Sequence, residues 1–323
     1  MQRLTSLFRN RLGLGANGER GATAVVFALL LVPMLGFAAV SVDVGKLYAE
    51  RARLQVAADA AAIAVAQDCA RGNCGNMLAT AQGLIDANDG SGTAGQPTLS
   101  SVPLSVTVTG RTPVKHWFAP ILGYDSTAVS ATATVGWGGP SGGAAVLPLT
   151  FSWCEFSQQT GGGMPSGTTA RTIYFTKTSQ TTGCTGPSNN IVPGGFAYLD
   201  TDPTACTATT SLGGHWSSKT GNSVPSLCST SDFSKWLDQT VLLPLFDDSG
   251  MSGTNAWYHI YGYAAFRLTG YSLGGQYAST SKPCSGNDRC VSGYFTRFVE
   301  LSDAWTYSPT APQLGSDILR LIR

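Results

Sequence analysis

The residues best suited to chemistry in this chain are eight cysteines: Cys69, Cys74, Cys154, Cys184, Cys206, Cys228, Cys284 and Cys290. All follow a long apolar run. An even set on one side of such a run points to disulfides in an oxidising compartment. Zinc ligation is the competing chemistry. It needs paired spacings, yet no Cys-x-x-Cys occurs, and His116, His215 and His259 stand far apart. Cys69 and Cys74 enclose only Ala-Arg-Gly-Asn, and Cys284 and Cys290 enclose Ser-Gly-Asn-Asp-Arg, so local bridges Cys69–Cys74 and Cys284–Cys290 are expected. The other four cysteines allow three pairings, which sequence alone leaves open. The pairing of chain neighbours, Cys154–Cys184 and Cys206–Cys228, is the expectation.

Catalytic chemistry has less support. A nucleophile needs a base, oriented by an acid. His215, in Gly-Gly-His-Trp, and His259, inside an apolar run, are the available bases. Asp247 and Asp248 form an adjacent acid pair in a segment rich in turn residues. That reads more simply as a solvated hairpin loop than as a glycosidase carboxylate. No Walker loop, dinucleotide fingerprint or nucleophile elbow is read from the chain. No enzyme activity, cofactor or metal is expected. Trp153, Trp216, Trp236, Trp257 and Trp305 are core residues in an all-β reading and sugar-stacking or partner-anchoring residues in a binding reading.

The elements that position these residues begin with a tether. Residues 24–42 are apolar and close to the ~20 needed to span a bilayer as a helix. Arg3, Arg9, Arg11 and Arg20 precede the run, opposed only by Glu19, which places the N-terminal side in the cytoplasm and the cysteines outside. A cleaved signal peptide ending near Gly36-Phe-Ala38 is the competing reading; the length of the run and the helix-forming sequence beyond it weigh against cleavage. Pro33 should kink the span. Residues 46–67, rich in Ala, Leu, Arg, Gln and Glu, continue as helix. Read as one rod, residues 24–67 would be about 65 Å long at ~1.5 Å per residue. Leu47, Leu54, Ala58, Ala61 and Val65 form one apolar stripe. Its small side chains suit close helix packing, either on a like helix or pilin or on the protein's own body.

Three blocks in this region carry a resemblance: Arg20-Gly-Ala-Thr-Ala-Val-Val-Phe-Ala-Leu-Leu30, Val42-Asp-Val-Gly45 and Leu54-Gln-Val-Ala-Ala-Asp-Ala-Ala-Ala-Ile-Ala64. Together they resemble the N-terminal segment of TadG-like and TadE-like proteins of the Tad (Flp) pilus system. The resemblance implies a membrane-anchored role in pilus assembly. TadE-like pseudopilins carry a Glu shortly after the processing glycine; counted from Gly21, Val26 stands there. That departure points to the TadG-like branch. Some TadG-like proteins end in a von Willebrand A-type domain with a metal-binding Asp-x-Ser-x-Ser loop. The nearest segment here, Asp247-Asp-Ser-Gly-Met-Ser252, has Met251 at the position of the second Ser, so a metal site is not expected.

Beyond the helix the pattern changes. Residues 76–87 read as a helix and 89–95 as a flexible break. Residues 103–109 and 126–136 alternate as strands, with 114–122 as a short helix or loop between them. This region should pack against helix 46–67. Residues 138–143, Gly-Gly-Pro-Ser-Gly-Gly, mark a boundary. Short β-like runs follow at 145–153, 168–176, 195–199, 256–269 (bent at Gly262), 270–277, 293–301 and 316–322. A short helix is expected at 232–238.

The fold class expected is α+β: a transmembrane helix continuing into a long extracytoplasmic helix, a strand–helix–strand region, then a disulfide-rich antiparallel all-β domain. The corresponding segments are 1–20 (basic tail), 21–68, 69–138 and 144–323. Net charge is +1 and only 12% of residues are charged, so nucleic acid is not an expected partner; with no catalytic set read from the chain, no small-molecule substrate is expected either. The expected function is a membrane-anchored, non-enzymatic component of Tad pilus assembly with protein partners. The alternative is a surface adhesin or glycan-binding module using the same anchor.

Overall fold

The computed structural model describes residues 16–179, 181–219, 221–251 and 255–322, with side-chain exposure from residue 21 onward. Arg3, Arg9 and Arg11, the side chain of Arg20, and Ser252 lie outside the described residues.

The fold opens with helix α1 (Ala16–Ala70), which passes through Pro33 as one element. From Gly21 to Val42 every residue but Ala39 is exposed. Asp43 is the first buried residue, and from Leu54 onward one face of the helix is covered. Cys69–Cys74 closes the turn after α1. Helix α2 (Met77–Asp89) follows. Asn76 caps it by accepting from the Ala79 N–H, and Gly90, left-handed at φ 72°, ends it.

Four strands come next: β1 (Thr93–Ala94), β2 (Thr98–Ser101), β3 (Leu104–Lys115) and β4 (Ser126–Ala145). β3 and β4 form an antiparallel hairpin in register from Ser105–Gly136 to Lys115–Ser126. A 3-10 turn, Ala119–Leu122, lies at its tip. Inward Val106, Val108, Ala131, Ala133 and Val135 are buried against the helices, while Thr107–Thr134 and Thr109–Thr132 pair through their hydroxyls on the other face.

The glycine-rich stretch 138–143, expected as a boundary, lies within the second half of β4. Its glycines permit close approach instead of forming a linker. A Cβ on Gly143 would stand 2.5 Å from the Trp305 ring, and one on Gly138 would stand 2.7 Å from the Ser308 carbonyl oxygen.

The body then adds β5 (Leu149–Ser152), α3 (Trp153–Thr160), β6 (Arg171–Tyr174), β7 (Cys184–Thr185), β8 (Ile191–Val192), β9 (Phe196–Tyr198), β10 (Ala208–Ser211), β11 (His215–Ser217), α4 (Thr230–Ser234), β12 (Thr240–Gly250), β13 (Trp257–Ser272), β14 (Cys290–Thr296), β15 (Phe298–Leu301), β16 (Trp305–Ser308) and β17 (Ser316–Ile322). One sheet runs β6-β14-β13-β12-β5-β9, with β11 on β13. The other runs β1-β3-β4-β17-β15, with β2 on β3 and with β10 and β16 on the second half of β4. The pairs β5–β12 and β15–β17 are parallel; the remaining pairs of these two sheets are antiparallel.

The run expected at 256–269 continues as β13 through Gly270 to Ser272, past a bulge between Leu268 and Gly270, while residues 273–277, expected as part of a separate strand, lie outside it. Another register shift lies opposite Gly262, the expected bend. Side chains reach two cores. Ile318 and Leu319, adjacent on β17, turn to opposite faces; Ile318 enters the body core and Leu319 the core under the helices.

Candidate functional site

The junction between tether and body is built from one turn of α1. Asp43 ends the exposed apolar run, and its carboxylate accepts the N–H groups of Trp117 (2.8 Å), Phe118 (3.0 Å) and Ala119 (2.8 Å). A helix residue thus caps a turn that follows it by more than seventy positions in the chain. One turn further, Lys46 donates to the Lys115 carbonyl at 2.7 Å and stands over the Trp117 ring at 4.9 Å.

Above this grip the stripe docks. Leu54, Ala58, Ala61 and Val65 are fully buried, joined by Ala57, Ala62 and Ala66, and Leu47 is half-buried. They pack on β3, β4 and the Leu319 side of β17. Of the two coverings considered for the stripe, its own body is the one found. Fit is close enough that a Cβ on Gly110 would meet Leu54 Cδ1 at 2.9 Å. At the end of α1, Arg297 from the body donates to the Arg71 carbonyl at 3.0 Å. This contact had no signal in the sequence, because the two residues lie far apart in the chain.

The eight cysteines form four bridges: Cys69–Cys74, Cys154–Cys184, Cys206–Cys228 and Cys284–Cys290. Each joins neighbours in the chain. Cys154 anchors α3, and Cys184 lies on the two-stranded β7–β8 ribbon, a segment with little sheet of its own.

The candidate catalytic residues do gather. His259 Nδ1 lies 2.6 Å from Asp247 Oδ1, and the rings of His215 and His259 are 5.2 Å apart. Asp247 is fully buried on β12, not on the solvated loop expected, because β12 stays paired with β13 as far as Gly250. Its other oxygen accepts from the Ser188 hydroxyl. The serine therefore donates its hydrogen bond to the acid rather than to the imidazole, which departs from a nucleophile–base–acid order. His215 sits edge-on against Trp257 at 4.3 Å. Among the described residues no group of three or more His, Cys, Asp or Glu could hold a metal.

Two strings passed over in the sequence carry catalytic spacings. Gly139-Pro-Ser-Gly-Gly143 has the form of a nucleophile elbow, but it lies inside β4, with Ser141 donating to Thr306 Oγ1 at 3.1 Å. An elbow needs a sharp strand-to-helix turn. Gly90-Ser-Gly-Thr-Ala-Gly95 has dinucleotide spacing, but it follows a helix and enters a strand, the opposite of the order that points amides at phosphate.

The tryptophans of the body are buried or half-buried: Trp305 among the former, Trp153, Trp216, Trp236 and Trp257 among the latter. Trp117, at the junction, is 66% exposed.

Among the described residues one apolar helix is long enough to span a membrane, and joined to a β-rich body it supports a single-pass membrane protein. The family model of putative Flp pilus-assembly TadE/G-like proteins matches residues 21–68, so the N-terminal segment is a Tad segment. The match covers the tether, the Asp43–Lys46 grip and the docking stripe. No curated protein and no solved structure matches the chain.

Proposed function

We propose that the protein is a non-enzymatic, membrane-anchored component of Tad/Flp pilus assembly, of the TadG-like rather than the TadE-like kind. Its body lies outside the membrane and binds pilins, pseudopilins or cell-wall material there. The observation that carries this reading is the covered stripe. A subunit that assembles through helix–helix packing must leave that face open to its neighbours. Here Leu54, Ala58, Ala61 and Val65 are spent on the chain's own sheet. Val26 agrees, since it stands where the pseudopilins carry a Glu. The helix then works as a rigid post that presents one folded body.

Deleting the coding sequence should abolish surface pili and surface attachment, and re-expression should restore both. Normal piliation in the deletion strain would overturn the reading.

A further inference from the structure

We propose that residues 117–124 form an interfacial membrane anchor that dips into the headgroup–acyl boundary of the leaflet from which α1 emerges. The proposal rests on α1 being the membrane tether. The segment reads Trp-Phe-Ala-Pro-Ile-Leu-Gly-Tyr and holds no charged residue. Trp117, Ile121, Leu122 and Tyr124 are 66%, 85%, 72% and 68% exposed, a group of bare apolar side chains within eight residues.

Their position says what covers them. Phe118, Ile121 and Leu122 share an apolar groove with Gly36, Ala39 and Val40 of α1. Those α1 residues belong to the apolar run that forms the candidate membrane span. Ala39 and Gly36 lie four and seven residues before Asp43, so the loop tip reaches about 6–10 Å to the membrane side of Asp43 at ~1.5 Å per residue. Interfacial segments bury their apolar faces to a depth of about 5–10 Å.

The loop backbone is also prepared for lipid, where unpaired polar groups are costly. Asp43 takes the amides of Trp117, Phe118 and Ala119, and those of Ile121, Gly123 and Tyr124 bond to carbonyls within the turn. Trp and Tyr suit this boundary because each has an apolar ring and a polar tip. With α1, the loop gives the body a second attachment and so fixes its height and rotation over the membrane.

The test uses the full-length protein in phosphatidylethanolamine–phosphatidylglycerol vesicles, with the Trp117 emission taken as wild type minus Trp117→Phe. Lipid carrying a doxyl group at acyl carbon 5 should quench that emission about twofold, and aqueous acrylamide should barely touch it. The double variant Ile121→Ser, Leu122→Ser should reverse both readings while the protein stays in carbonate-washed vesicles. Trp117 open to acrylamide and untouched by doxyl lipid, in vesicles that retain the wild-type protein, would overturn the loop anchor alone. That result would favour a protein partner for the patch. Release of the wild type by carbonate would overturn the tether and the loop together.

Discussion

The two cores of this molecule are made of different material. The one under the helices is mostly Ala and Val, with Leu54, Ile85, Trp137 and Leu319 as its larger members. The one in the body is aromatic: Phe151, Phe196, Phe266 and Phe295 meet at centroid distances from 4.7 to 6.3 Å, with bridges Cys154–Cys184 and Cys206–Cys228 among them. Small side chains let a straight helix lie along a sheet with contact spread over many positions. Large rings fill an irregular interior where strands are short and loops long. The first kind of core transmits position from the tether, and the second holds a shape. β17 joins them, because its alternate residues serve both.

The largest expected break is Phe266→Ala, which should lose about 4 kcal/mol by emptying the ring cluster. Because β17 belongs to both cores, hydrogen exchange in β3 and β4 should rise with exchange in the body. Faster exchange confined to the body would show that the two cores are independent. Next is the pair Cys154→Ser, Cys184→Ser. It frees a loop closed over a separation of 30 residues and should cost roughly 3–4 kcal/mol in a denaturant titration.

Leu54→Ala opens the helix-side core and should cost about 3 kcal/mol. Its signature is a loosened tether, read as faster exchange in α2 and β3 before the body responds.

The smallest effect has the opposite sign. Burial holds the Asp317 carboxyl, on the shared strand, at about 6, above the ordinary 3.8. The folded protein keeps that proton longer than the unfolded chain, so this group's contribution to stability is greatest below pH 3.8 and is lost as pH rises through about 6. Asp317→Asn should therefore gain about 2 kcal/mol at pH 8 and nothing at pH 3.5 in thermal unfolding. An equal gain at both pH values would remove the titration argument.

The same division governs what the sequence reveals. The tether, the stripe at Leu54, Ala58, Ala61 and Val65, and the strands near 103–109 and 126–136 are legible because each follows a local period of helix or strand. The neighbour spacing of the cysteines is also local. What escapes is non-local. The sequence offers no sign that Asp43 caps a turn at Trp117–Ala119, or that Asp247, read as a solvated turn, lies buried against His259 and Ser188. Composition misleads at 138–143 because glycines that admit Trp305 and β16 look the same as glycines of a linker.

The central claim is that α1 holds the aromatic, bridged body outside the membrane as one unit with the tether. A C-terminal epitope tag and protease added to spheroplasts test it most directly. The account predicts that the tag is lost to external protease, that the intact protein pellets with membranes before digestion, and that its thiols resist alkylation until reduced. A tag protected until the membrane is lysed, with thiols alkylated without reduction, would contradict it.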